Sequence, residues 1–363
     1  MKTFKVIIAG GGTGGHIFPA LAIAEALKGK YPQVELLFVG AEGKMEMERV
    51  PKAGYEIVAL PIVGMHRKQI WKNWSLPFKL LKSKRMAAKI LNDFQPDIAI
   101  GVGGFASFPI LKEAQNKNIP TLIQEQNSYA GKTNKILGRK AEAICVAYDG
   151  MEAFFPKENI VKTGNPIRKQ IKEFSLSQKA CLEAFGLDPE KKTIVVIGGS
   201  LGAVSINKAV ALKVKDWQEK GYQLIWQTGK NYEVSEALKT LQGVVIRAFF
   251  DDIEKAYGAS TVIISRAGAL ACAELALVGK PVVFVPYPYA AEDHQHSNAK
   301  AFVDANAAYL VNDDEVEQNL AEKVEVIMND MERAQEMGGN MKQLALPNAE
   351  LEILKTIEGI IKL

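Results

Sequence analysis

Five glycines fall within the six positions Gly10-Gly11-Gly12-Thr13-Gly14-Gly15, and a single titratable ring, His16, follows directly. Glycine tolerates positive φ and lets a ligand approach with no Cβ in the way. A β-prone run precedes this turn (Lys5–Ala9) and helical spacing follows it (Phe18–Leu27). The turn therefore offers free N–H groups and the positive end of a helix to an anion. Three more glycine-bearing turns follow apolar runs: Gly101–Gly104, Gly198-Gly199-Ser200 and Ala267-Gly268-Ala269. The last opens a helix whose start suits a phosphate, with Glu274 about one turn away and within reach of a sugar hydroxyl. Ser200 adds a hydroxyl donor. Arg168 adds a fork-shaped cation able to take leaving-group charge.

Other chemistries fit less well. Gly10, Gly12 and Gly15 satisfy G-x-G-x-x-G, but a dinucleotide site also expects an acid at the end of the second strand. The expected second strand, Glu35–Val39, runs into Gly40-Ala41 instead. No phosphate-binding P-loop pattern occurs, which argues against a kinase or ATPase. No D-x-D triplet occurs either, since Asp251-Asp252 and Asp313-Asp314 are adjacent pairs. The usual oxygen ligands for a metal-bridged diphosphate are missing, so neither metal nor cofactor is expected. Cys145, Cys181 and Cys272 lie far apart with no C-x-x-C, which suits a reducing compartment and no structural zinc.

These turns need elements to hold them. The 363 residues, 48% hydrophobic and 24% charged, read as two soluble α/β domains. Apolar strand-length runs alternate with helix-length segments throughout, the signature of doubly wound parallel sheets. A coarse repeat supports two halves: VIIAGGGTGGH opens the chain and TIVVIGGSLGA (193–203) recurs near its midpoint. Lys162–Ile171 carries Gly-Asn-Pro between the halves. The domains expected are 1–164, joined by a returning C-terminal helix within 346–363, and 165–345. Ligands in such folds bind beyond strand C-terminal ends, here expected in a cleft between the halves. No stretch reads as a membrane span, and no export signal or anchor is expected.

Charge is uneven. Net charge is +4, yet Ile57 to Asn92 holds eight cations and no acid, leaving −4 on the remainder. Lys72 and Lys79 are interleaved there with Ile70, Trp71, Trp74, Phe78 and Leu81, a pattern suited to anionic lipid. The alternative is a helix that packs its aromatics inward. The overall balance is too mild for a dedicated nucleic-acid binder.

Taken together, GGTGGHIFPALAIA, GVGGFASFPILKEAQNKNIPTLIQEQNSYAGKTNKIL, TGNPIR, GGSLGAVSIN and SRAGALACAELALVGKPVVFVPYPYAAEDHQHSNA make the chain resemble the bacterial lipid-linked glycosyltransferases of peptidoglycan synthesis. The likeness runs nearly end to end. It implies a GT-B fold and an inverting, metal-independent transfer of N-acetylglucosamine from UDP-N-acetylglucosamine to the undecaprenyl-linked muramoyl-pentapeptide acceptor. It also implies peripheral attachment to an anionic membrane surface on the cytoplasmic face, with other cell-wall synthesis proteins as possible partners.

Carried over onto matching positions, the resemblance puts donor contacts at Thr13, Gly14, Gly15, Asn127, Arg168, Ser200 and Phe250, the last through its backbone. Donor contacts continue at Ala269, Leu270, Ala271, Cys272, Ala273, Glu274 and Gln295. His16 becomes the general base, a role that suits an imidazole, with Glu125 in reserve. Gly101–Phe108 and Gln124–Lys135 are expected at the acceptor. The chain departs from its relatives at Ala271-Cys272, where a hydroxyl residue is common, and at Phe250, where an aliphatic one is. Rival readings are a GT-B transferase with another acceptor, a UDP-sugar epimerase or hydrolase, and an oxidoreductase resting on Gly10–Gly15.

Overall fold

The computed structural model describes residues 3–62, 76–199 and 201–362. The chain forms two compact units, one of Met1–Ile167 with Leu346–Leu363, the other of Arg168–Ala345. The first runs β1 (Lys5–Ala9), α1 (Gly14–Lys30), β2 (Glu35–Ala41), α2 (Glu46–Lys52), β3 (Ile57–Leu60), α3 (Leu76–Phe94), β4 (Ile98–Gly101), α4 (Ser107–Asn116), β5 (Thr121–Glu125), α5 (Lys132–Gly138), β6 (Ala143–Val146) and β7 (Ile160–Lys162). The second runs α6 (Lys169–Lys172), α7 (Gln178–Ala184), β8 (Thr193–Ile197), α8 (Val204–Glu219), β9 (Gln223–Gln227), α9 (Glu236–Lys239), β10 (Val244–Arg247), α10 (Ile253–Ala259), β11 (Val262–Ser265), α11 (Ala269–Val278), β12 (Val282–Phe284), α12 (His294–Asp304), β13 (Ala308–Leu310), α13 (Val316–Asn329) and α14 (Met331–Gln343). A final helix, α15 (Ala349–Ile361), belongs to the first unit.

Among the described residues the sheets are β3-β2-β1-β4-β5-β6-β7 and β10-β9-β8-β11-β12-β13. Every pairing is parallel, from Lys5↔Glu35 in the first to Thr193↔Gln223 in the second. This is the doubly wound α/β class expected from the alternating pattern. β2 runs two residues beyond its expected end at Val39, to Ala41.

Apolar strands are what a sheet covered on both faces requires. In β1 successive side chains point to opposite faces. Ile7 and Ala9 join one core with Leu37, Val39, Ile110 and Ile123. Val6 and Ile8 join the other with Ile23, Leu27, Ile98 and Ile100, and α15 adds Ile353, Leu354 and Ile357 there. Tyr31 donates to Glu358 at 2.8 Å, tying α1 to α15. In the second unit Ile194, Val196, Trp217, Trp226, Ile264 and Leu320 share one core.

The strand order reverses between β1 and β4 and again between β8 and β11. Loops leaving neighbouring strands diverge at such points and open a crevice for ligands. Glycine is needed where these loops touch. A Cβ on Gly104, at φ +79°, would lie 2.3 Å from the Gly11 carbonyl oxygen. A Cβ on Gly202, at φ +80°, would lie 2.1 Å from the Thr228 carbonyl oxygen. Among the described residues no helix is long and apolar enough to cross a membrane.

Candidate functional site

In the first unit the β1–α1 loop opens α1 at Gly14, and Thr13, in extended conformation, makes no side-chain cap. The helix thus leaves its first N–H groups to other partners. His16 turns back onto this loop. Its Nδ1 lies 3.0 Å from the Gly11 carbonyl oxygen and 3.2 Å from the Thr13 hydroxyl. A carbonyl only accepts, so Nδ1 carries the hydrogen and the lone pair of the neutral ring resides on Nε2. The ring packs over the next loop: a Cβ on Gly103 would be 3.0 Å from Nε2.

The loop rests on a side chain that no motif singled out. Glu46, 1% exposed at the start of α2, accepts from Gly12 N and Ala41 N, each at 3.0 Å. Gly11 has φ +148°, and a Cβ there would lie 2.1 Å from Glu46 Oε1.

Glu125, at the end of β5, is 2% exposed. It accepts from Asn127 N at 3.1 Å, Asn127 Nδ2 at 3.3 Å, Gly131 N at 3.0 Å and Asn134 Nδ2 at 2.9 Å. Asn127 therefore folds back onto Glu125, and both carboxylate oxygens bind the loop that follows. Asn134 is a second residue the sequence reading passed over. Its Oδ1 is buried without a partner, and its Nδ2 would be 3.6 Å from a Cβ on Gly103.

In the second unit, Arg168 and Glu274 meet across 106 positions of sequence. Nε donates to Oε1 at 2.5 Å and Nη2 to Oε2 at 2.6 Å, a bidentate pair. The Glu274 side chain is 6% exposed and that of Arg168 42%. Burial works against the Arg168 cation, but the hydrogen-bonded charge of Glu274 overrides it and raises the guanidinium pKa. Burial likewise pushes up the phenol of Tyr257, and Glu274 adds to the effect.

Glu274 lies on α11, whose cap residue Gly268 (φ −67°, ψ 142°) has no side chain to satisfy the helix start. The first turn carries no acid, so no carboxylate of that turn offsets the dipole's positive end. Ala269 and Cys272 are buried, whereas Leu270, Ala271 and Ala273 are half-buried. Cys272 is fully buried as a small packing residue, and its N–H bonds Gly268 O at 2.9 Å. Asn298 on α12 donates to Ala267 O at 3.2 Å, and Gln295 Oε1 accepts from Tyr287 N at 3.0 Å. Phe250 is buried and its N–H donates to Gln227 Oε1 at 3.0 Å. Gln227 in turn donates to Gly199 O at 3.1 Å.

Ser200 lies outside the described residues, as do Ile70, Trp71, Lys72 and Trp74. Of the basic aromatic stripe, Phe78 is 71% exposed and Leu81 51%, and Lys79 is half-buried. On the same helix Ser83 and Ala87 face inward. Arg266 was also missed. It is a half-buried brace, donating to Val285 O and Pro286 O at 3.0 Å and to Asp313 Oδ1 at 2.6 Å.

Two doubly wound units of parallel strands in this order are the architecture of GT-B glycosyltransferases. Residues 6–146 match the glycosyltransferase family 28 N-terminal domain and residues 193–353 the glycosyltransferase family 28 C-terminal domain. The chain belongs to glycosyltransferase family 28. It is 49% identical over 368 aligned residues, 99% of each chain, to the UDP-N-acetylglucosamine–N-acetylmuramyl-(pentapeptide) pyrophosphoryl-undecaprenol N-acetylglucosamine transferase of Bacteroides thetaiotaomicron. The protein of the same name from Parabacteroides distasonis is 47% identical, again over 99% of each chain. The crystal structure of Acinetobacter baumannii MurG matches with a TM-score of 0.78 at 28% identity, covering 99% of this chain and 100% of that one.

Proposed function

We propose that this chain transfers N-acetylglucosamine from UDP-N-acetylglucosamine to undecaprenyl-pyrophosphoryl-MurNAc-pentapeptide, turning lipid I into lipid II at the cytoplasmic face of the cell membrane. The observation that carries this reading is 49% identity along the whole chain to a relative so named. The second unit takes the donor. The start of α11 and the N–H groups of Arg168 not engaged by Glu274 receive the diphosphate, and Glu274 serves the ribose. Because the Phe250 N–H is engaged by Gln227, its carbonyl reads the base edge. Thr13, Gly14, Gly15, Asn127, Ser200 and Gln295 complete the donor contacts.

The first unit takes the acceptor. Nε2 of His16 accepts the proton of the acceptor hydroxyl as its oxygen attacks the anomeric carbon. The bond to the departing UDP breaks with inversion, and dipoles and Arg168 hold the charge released. Glu125, its oxygens committed to four donors, braces the acceptor loop and leaves proton transfer to His16. The exposed Phe78 and Leu81, with the stripe's lysines, meet anionic lipid.

The test is incubation with radiolabelled UDP-N-acetylglucosamine and a short-chain lipid I analogue. Labelled lipid-linked disaccharide is the expected product. Epimerised nucleotide sugar, or free sugar with no disaccharide, would overturn the reading.

A further inference from the structure

The peptide between Gly11 and Gly12 is bonded at both ends. Its N–H donates to Glu46 Oε2 at 3.0 Å, and its carbonyl accepts from His16 Nδ1 at 3.0 Å. The N–H and C=O of a trans peptide point in opposite directions, so carboxylate and imidazole sit on opposite sides of one peptide unit. Glu46 is buried and its other oxygen holds Ala41 N, so it is held by the loop after β1 and by the end of β2.

We infer that Glu46 is a positioning residue for His16, acting through this peptide as a carboxylate–peptide–imidazole relay. The inference rests on the reading of His16 as base and extends it to a residue with no assigned role. A negative charge at the N–H end polarises the amide and makes its carbonyl a stronger acceptor. That bond keeps the proton on Nδ1, aims the ring, and leaves the basic lone pair on Nε2. It plays the part that a carboxylate in direct contact plays in a catalytic triad. Glycine is required at the first relay residue, because any side chain on Gly11 would meet Glu46.

Charged groups stand on several of the described elements around His16. Glu46 stands on α2, and Glu125 on β5 stands behind Asn134. Lys132 and Lys135 are on α5, where Lys135 lies over the rings of Tyr129 and Phe154. The first turn of α1 has no acid. Glu46 is coupled to the ring through two hydrogen bonds and one peptide. Two bonds and one peptide separate Oε2 from Nδ1 by roughly 8 Å. Removing a unit charge at that separation lowers the imidazole pKa by about one unit.

The experiment uses the full chain with isotope-labelled histidine. In the wild type, nitrogen shifts of His16 should report the Nδ1–H tautomer at high pH; an Nε2–H tautomer overturns the inference without any variant. In Glu46→Gln, with folding checked by its urea midpoint, the His16 pKa should fall by about one unit, and the acidic limb of kcat should move with it. An unmoved His16 pKa in the folded variant overturns the relay. A lowered pKa with an unmoved kcat profile supports the relay and removes His16 from proton transfer, which separates the two readings.

Discussion

Arg168→Ala tests the second unit most directly. Its guanidinium and the Glu274 carboxylate form a bidentate pair at 2.5 and 2.6 Å. Charge centres about 4 Å apart attract by roughly 4 kcal/mol at the effective dielectric typical near a protein surface. Glu274 is 6% exposed but Arg168 42%, so solvent screens one side of the pair. The expected loss is about 2 kcal/mol, between the exposed-pair range and the 3–5 kcal/mol of a fully buried pair. In a unit of this size that lowers the midpoint by roughly 4–8 °C. Adding Glu274→Gln removes the stranded charge. The double variant should therefore recover more than 1 kcal/mol relative to the sum of the singles, about the coupling expected of contacting residues. The assay is urea unfolding of all four proteins, with calorimetric titration of UDP-N-acetylglucosamine alongside. Arg168→Ala should weaken donor binding about tenfold, the equivalent of one charge-assisted hydrogen bond. Additivity within about 0.5 kcal/mol, together with unchanged donor affinity, would refute the reasoning.

Phe78→Ser with Leu81→Ser should reduce sedimentation with anionic vesicles while leaving the fold intact; equal binding would return that helix face to a purely structural role. The hydrogen bond from Lys30 lowers the Glu358 pKa below its ordinary 4.5, with Tyr31 assisting against burial. The tie between α1 and α15 thus adds stability above pH 4.5 that fades as pH falls through the lowered pKa. Urea midpoints of Glu358→Gln should consequently lose less on acidification than those of the wild type. Burial pushes the Cys145 thiol up to about 12, and Cys181 and Cys272 are equally enclosed. A thiol reagent at pH 8 should label none of the three in the folded protein and all three in urea.

Much of this was legible because the signals are local. Strand, glycine turn and helix start lie within about thirty residues of each other, and apolar β1 and β8 announce covered parallel sheets. The glycine loop, His16 and the α11 start were readable for the same reason. Contacts across sequence were not. Glu46 sits 34 positions from Gly12, in a charged stretch (EMERVPK) that carries no motif. Its burial follows only from the parallel pairing that sets the end of β2 beside β1. Arg168 and Glu274 were each marked for charge or hydroxyl chemistry, but nothing in either segment revealed that they bind one another. Asn134 lay inside a quoted motif, yet only the fold shows a buried amide oxygen without a partner.

The returning helix has a consequence for synthesis. Residues 168–345 are one uninterrupted segment, whereas the first unit needs Ile353, Leu354 and Ile357 to finish its core. On the ribosome the later-made unit can therefore mature first, while the earlier one waits, its greasy flank uncovered, until α15 emerges. Nascent chains stalled just short of that helix should be the ones chaperones hold.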